Sequence, residues 1–335
     1  MARPSELRSQ GGRPRRGRPA LGCALTLALV AAAAIAAGLA YRADLREAQR
    51  RVAGRSAVIQ TRYGAMEYAE QGEGPPLLMI HGTGGGFDQG LSFSRDIIAD
   101  GIRVIAPSRF GYLRSSWPSD PSSERQADAF VDLLDRLRLR KVAVAGGSAG
   151  ALSAVQFALR HPERTSALIL IVPAANVEGH DPNEMSPLQE WLVRRLITSD
   201  FLFWTGKELM GRQLIGFLLA TDPALLDAMP ANERRRAFEI LDEIQPISRR
   251  WRGMLNDAQL AGHPAPIDFI RLRVPLLILS AEDDRFGTAP TARAIARQVP
   301  GARLVIYPSG GHIFLGRQSE SAAETARFVR EHRRD

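Results

Sequence analysis

Cysteine is almost absent from this 335-residue chain, with Cys23 as its sole representative. An intramolecular disulfide and a cysteine-based metal site are therefore excluded, and cysteine usage says nothing about compartment. Lysine is nearly as scarce: of 44 Lys plus Arg only Lys141 and Lys207 are Lys, so part of the pI of 10.4 reflects arginine usage rather than a choice of partner. Net charge is missing from most of the molecule. Residues 1–55 hold 11 Arg against Glu6, Asp44 and Glu47, which accounts for the whole formal charge of +8; the other 280 residues carry 33 charges of each sign. A basic tail on a neutral body excludes a basic nucleic-acid groove on the fold. Long apolar runs are also lacking, with one exception, so a polytopic membrane protein is excluded. A composition of 45% apolar and 24% charged residues excludes disorder and collagen.

The exception is Leu21 to Ala40, twenty residues without a charge. Twenty helical residues cover roughly 30 Å, the thickness of a bilayer's hydrocarbon. Six Arg and one Glu precede the run, and five Arg and two acids follow it by Arg55, a net +5 against +3. That bias keeps the amino terminus cytoplasmic and places the body on the non-cytoplasmic side. An uncleaved single-pass anchor over 21–40 is expected, because the run exceeds the roughly 7–15 residues of a signal-peptide core. The alternative is a cleaved signal peptide, for nine of the twenty residues are Ala and Gly38-Leu39-Ala40 offers small residues to a peptidase; the body would then be secreted or periplasmic. Residues 1–20 form the basic flank, and 41–56 read as a short helical or flexible stalk.

From Ala57 onward, short Val/Ile/Leu runs alternate with amphipathic stretches, the pattern of a parallel sheet covered by helices on both faces. Strands are expected at Leu77–Ile80, Arg103–Ala106, Val142–Ala145, Ala167–Val172, Leu276–Leu279 and Leu304–Tyr307, with a lead-in hairpin over Ala57–Glu70. Helices fit at Ser122–Leu137, Ala149–Arg160, Thr288–Gln298 and Gly316–His332. Residues 174–270 break the alternation. They lack a convincing strand and read as helices near Pro187–Ile197, Phe201–Ala220, Asn232–Ile244 and Ile247–Leu260. This block is an inserted helical cap, placed after the fifth strand of the parallel run, and residues 57–173 and 271–335 form the core.

Gly146-Gly147-Ser148-Ala149-Gly150 fits G-x-S-x-G between an expected strand and an expected helix, which puts Ser148 on the tight turn joining them. A Ser hydroxyl needs a base. Of six His, only His312 lies on a loop at the carboxyl end of the last strand, the same sheet edge as Ser148. The base needs an acid to hold its tautomer. Glu282-Asp283-Asp284 ends the penultimate strand, and turn position favours Asp284, with Asp283 as runner-up; the competing role for either is a helix cap before Thr288. A tetrahedral oxyanion needs donors. The Ala149 N–H is one candidate, and the loop His81-Gly82-Thr83-Gly84-Gly85-Gly86 supplies the other, Thr83 ahead of Gly84. That loop lacks the Gly-Lys-Ser/Thr ending of a phosphate loop. No metal or organic cofactor is implied.

PPLLMIHGTGGG, VIAPSRFGYLRSS, VAVAGGSAGALSAVQFALRHPERTSALILIVPA, VPLLILSAEDDRFGT and YPSGGH, in that order, resemble the α/β-hydrolase family over residues 57–333. The resemblance implies an α/β fold with an eight-stranded, mostly parallel sheet, a triad of Ser148, Asp284 and His312, and the cap closing over Ser148. Ser108 stands where the family commonly has Asp, and Leu113 where it commonly has Gly. A serine at the elbow argues against the related haloalkane dehalogenases and epoxide hydrolases, which use a carboxylate nucleophile. What remains is acyl transfer to water from a small-molecule substrate. A carboxylic ester is the first expectation; a lactone, a proline-iminopeptidase-like amide or a carbon–carbon bond of the meta-cleavage kind are alternatives. A non-catalytic membrane-tethered scaffold is the alternative of another class. Gly84, Trp191, Phe201, Phe203, Trp204 and Phe217 are candidates for an apolar substrate pocket, against the plainer reading that the aromatics pack the cap onto the core.

Overall fold

The computed structural model describes residues 18–176 and 186–333. Most of the basic flank, His180 and the first residues after Asn176 of the expected cap lie outside the described residues. The chain forms two compact units, Met1–Asp44 and Leu45–Asp335. Helix α1 spans Arg18–Val52, and its most apolar stretch has no part buried, as a membrane-spanning helix would have in the absence of lipid. Its end belongs to the second unit. Ala48 and Val52 are buried there, and the Arg51 guanidinium donates to the carbonyls of Asp242 and Gln245 at 2.9 and 2.7 Å. The expected stalk is thus partly body: the second unit begins at Leu45, twelve residues before the expected core boundary at Ala57.

Eight strands follow: β1 (Ala57–Thr61), β2 (Gly64–Gln71), β3 (Pro76–Ile80), β4 (Arg103–Pro107), β5 (Val142–Gly147), β6 (Thr165–Ile171), β7 (Leu276–Ala281) and β8 (Arg303–Tyr307). They form one sheet in the order β1-β2-β4-β3-β5-β6-β7-β8. β1 and β2 pair antiparallel, β2 pairs antiparallel with β4, and all other pairs are parallel. Helices α2 (Phe87–Phe93), α3 (Arg95–Ala99), α4 (Ser123–Arg136) and α5 (Gly150–Arg160) connect the first strands. Then come α6 (Pro187–Thr198), α7 (Asp200–Leu218), α8 (Leu225–Ala228), α9 (Ala231–Glu243) and α10 (Trp251–Gly262), followed by α11 (Thr288–Gln298) and α12 (Gln318–Glu331). The insertion α6–α10 follows β6, the fourth parallel strand after β3, β4 and β5, rather than the fifth.

Period-two alternation assigns each strand residue to a face. Leu78, Ile80, Val144, Leu168, Leu170 and Ile278 pack on one side with Phe130, Leu133, Val155 and Phe157 of α4 and α5. Leu77, Met79, Ala145, Ile169, Leu277 and Leu279 pack on the other with Ala326, Phe328 and Val329 of α12. Both faces are covered, which is why these strands read as unbroken apolar runs. The insertion packs through Phe203, Ile215, Leu226, Ile240, Leu241 and Ile247, in a cluster that also takes in Tyr112, Ile313 and Leu315 of the core.

Candidate active site

In-register parallel pairing brings the carboxyl ends of β3, β5, β6, β7 and β8 to one edge, with Ile80 beside Gly146, Gly147 beside Ile171, Ile171 beside Leu279 and Ala281 beside Tyr307. Ser148 leaves β5 there with φ 51°, a left-handed conformation that costs an L-residue roughly 1–2 kcal/mol. Its glycine neighbours make the turn possible. A Cβ on Gly146 would stand 2.7 Å from the Gly150 carbonyl oxygen, and one on Gly150 would stand 2.5 Å from that of His81. The Ser148 N–H donates to the Ile171 carbonyl at 2.9 Å, and its own carbonyl accepts from Ala151 and Ala174. The half-buried residue is thereby tied to β6 as well as to α5.

The glycine-rich loop after β3 lies against this turn, since a Cβ on Gly82 would come within 3.2 Å of the Ser148 Cβ. Most of its amides are engaged. Gly82 N–H donates to Gln89 Oε1 at 3.1 Å, Gly84 N–H to the Tyr112 hydroxyl at 3.3 Å and Gly85 N–H to the Gly82 carbonyl at 3.3 Å. The N–H groups of Thr83 and Ala149 find no hydrogen-bond partner among the described residues. Thr83 is exposed, and Ala149 heads α5, where the helix dipole favours negative charge. Gly84, expected as the next donor, is turned to Tyr112.

His312 Nδ1 lies 2.8 Å from Asp284 Oδ2. Asp284 also accepts from the Phe286 N–H at 2.9 Å and from the Thr288 hydroxyl. Burial pushes the Asp284 carboxyl up, but His312, Thr288 and the Phe286 amide together hold it below the ordinary carboxylate value. It is therefore an anion, and His312 keeps its Nδ1 proton toward it, leaving Nε2 free to accept one. Asp283 acts on the backbone instead. Its two oxygens accept from the N–H groups of Gly310 and Gly311 at 3.1 and 2.8 Å, fixing the turn that carries His312. Neither carboxylate caps α11, whose N-cap is Gly287. The Phe286 ring meets the His312 ring edge-on at 5.0 Å.

Several residues around the site were given no role from the sequence. His81 is fully buried; its Nε2 accepts from the Arg109 N–H at 2.9 Å, so Nδ1 donates to the Gly82 carbonyl at 2.7 Å. Burial, and then the Arg109 charge, drives its pKa well below the ordinary 6.5. It is a neutral strut under the loop. Asp257 of α10 forms a buried bidentate pair with Arg109, both bonds 2.6 Å, and accepts from the Tyr112 hydroxyl at 2.5 Å. Arg250, with no exposed side-chain area, donates to the Gly85 carbonyl at 2.5 Å and pairs with Asp88 at 2.7 Å. Ile244 packs on Gly84. On the other side, Thr221 abuts Gly311, and the Arg285 N–H donates to the Ala220 carbonyl at 3.0 Å. The insertion thus braces both the Thr83 loop and the loops of Asp284 and His312. Arg109 and Tyr112 stood within VIAPSRFGYLRSS; Arg250 and Asp257 stood in no motif.

The aromatics expected to line a substrate pocket differ in exposure. Phe203 is fully buried in the cluster that joins the insertion to the core and Trp204 is nearly buried, while Trp191, Phe201 and Phe217 are about half exposed. For Phe203 the plainer packing role holds. A cleft of about 640 Å³ lined by Gln156, Arg160, His161, Asp268 and Arg271 lies at the far end of α5, roughly 16 Å of helix from Ser148.

A family profile described as α/β hydrolase fold matches residues 75–316, and the chain belongs to that family. The chain is 36% identical over 275 residues to a 2-hydroxymuconate semialdehyde hydrolase from Pseudomonas sp. (strain CF600), covering 78% of this chain and 87% of that one. It is 24% identical over 277 residues to Lipase 1 of Psychrobacter immobilis, covering 79% and 80%. Among solved structures it is similar to an α/β hydrolase fold protein from Nakamurella multipartita, with a TM-score of 0.63 at 23% identity over 82% of this chain and 99% of that one.

Proposed function

We propose that the protein is a serine hydrolase acting on an uncharged carboxylic ester, anchored by residues 21–40 with its body on the non-cytoplasmic side. Ser148 Oγ attacks the carbonyl carbon as His312 Nε2 takes its proton, and Asp284 stabilises the imidazolium. The N–H groups of Thr83 and Ala149 receive the oxyanion. Collapse of the tetrahedral intermediate expels the alcohol, which takes the proton from His312, and leaves an acyl-enzyme on Ser148. Water, deprotonated by His312, then releases the acid and restores the serine. The His312–Asp284 hydrogen bond, on the sheet edge that presents Ser148 beside two unpaired amides, carries this reading. A charge-neutral body exerts no long-range pull on charged substrates, which favours an ester.

A fluorophosphonate probe tests it: wild type labels and Ser148→Ala does not. Failure of wild type to label would leave the non-catalytic scaffold. The 36% identity to a 2-hydroxymuconate semialdehyde hydrolase supports a second reading, carbon–carbon bond hydrolysis. Aryl esters of increasing acyl length, run beside a meta-cleavage dienoate, a lactone and a proline arylamide, separate the readings; faster turnover of the dienoate would displace the ester.

A further inference from the structure

Among the described residues outside α1, thirteen large apolar side chains are exposed, and nine of them fall in the insertion between Leu188 and Phe238. They are ordered. On α6, Leu188, Trp191 and Leu192 share one outward stripe at i, i+3 and i+4, while Ile197 is buried with Val193 and Leu196 in the insertion core. On α7, Phe203 and Ile215 face that core, and Leu209, Met210 and Phe217 are exposed, Leu209 at 77%. Helices with both an inward and an outward apolar face require apolar surroundings on each side.

We infer that the outer face of α6 and α7 docks into the bilayer crossed by the N-terminal helix. The inference rests on the reading of residues 21–40 as an uncleaved span. Chain length argues for lipid over a second copy. Only Tyr41–Asp44 separate the end of that span from the second unit, a reach of at most roughly 14 Å, so the body is held at the membrane surface at high effective concentration. Residues 186–262 hold ten acidic and ten basic side chains, so attachment is apolar and needs no anionic lipid. The Arg195 guanidinium lies 5.5 Å from the centre of the Trp191 ring, an aromatic–arginine pair suited to the headgroup layer.

The test uses the full chain with Cys23→Ser, reconstituted in phosphatidylcholine vesicles, with a fluorophore at Leu209→Cys or, as reference, at Ile270→Cys, an exposed apolar position outside α6–α10. Docking predicts that the 209 probe is quenched by nitroxide-labelled lipid and protected from aqueous iodide, with the reverse at 270, and that molar salt changes neither. Equal iodide quenching at both positions overturns the proposal, as does shielding of 209 from both quenchers, the signature of a second copy. The mass of the reconstituted chain separates the two premises. A product beginning near Tyr41 removes the anchor, whereas an intact chain with a water-exposed probe removes only the docking.

Discussion

At the residue scale, two adjacent carboxylates divide the labour of the site. Asp284 faces His312 Nδ1 and Asp283 holds the Gly310-Gly311 backbone, so replacing each has a different consequence. Asp284→Asn offers an amide that disfavours the working tautomer, and turnover of an aryl ester is expected to fall about 10,000-fold with stability nearly kept. Asp283→Ala instead removes two charge-assisted hydrogen bonds, about 2–4 kcal/mol, and is expected to lower the urea midpoint while fluorophosphonate labelling persists. The reverse pattern would exchange the assignments. Glu243 gives a pH signature. Burial raises its carboxyl from 4.5 to about 7. The folded state then holds a proton that the unfolded state has released, so stability is full below about pH 4.5 and declines as pH rises to about 7. Glu243→Gln is expected to abolish that decline, leaving the variant more stable than wild type at pH 8 by roughly 3 kcal/mol, measured by urea denaturation across pH.

At the element scale, the buried pair of Arg250 and Asp88 joins the insertion to the loop after β3. Arg250→Met leaves Asp88 and the Gly85 carbonyl without their buried partner and is expected to cost about 3–5 kcal/mol; Arg250→Met with Asp88→Leu should recover much of it. Equal unfolding midpoints for wild type and the single variant would remove Arg250 as a brace. The same contrast explains what was legible in the sequence. Most of the parallel strands showed because both faces are buried, the partly buried edge strand β8 showed by its Leu-Val-Ile run, and the positions of Ser148, Asp284 and His312 showed because strand ends address one edge. Helices α2 and α3, seven and five residues long, are too short to display a period, which is why no helix was expected after the glycine-rich loop. The Arg109–Asp257 and Arg250–Asp88 pairs join residues 148 and 162 positions apart, and no local pattern encodes such partners. The aromatics of the insertion were visible, but their direction was not: composition cannot tell Phe203, turned inward, from Phe217, turned out.

At the scale of the whole molecule, the positive charge and the apolar run belong to one end of the chain, but the boundary between the N-terminal apolar helix and the body does not fall where composition changes. Charge and hydropathy place it near Ala57, whereas packing places it at Leu45, because Ala48 and Val52 are buried and Arg51 holds the carboxyl end of α9. Truncation separates the two boundaries. A chain beginning at Leu45 loses the apolar segment and keeps every one of these contacts, so it is expected to unfold at the same urea concentration as the full chain in detergent. A chain beginning at Ser56 loses the buried Val52 side chain, about 1.5–3 kcal/mol, and the two hydrogen bonds of Arg51, about 1.5–3 kcal/mol more. Its midpoint should fall accordingly. Because Asp242 and Gln245 flank Ile244, which packs on Gly84, the loss should also reach the loop of Thr83 and slow fluorophosphonate labelling of Ser148. Equal stability and equal labelling of the two truncations would return residues 45–55 to the role of a plain tether.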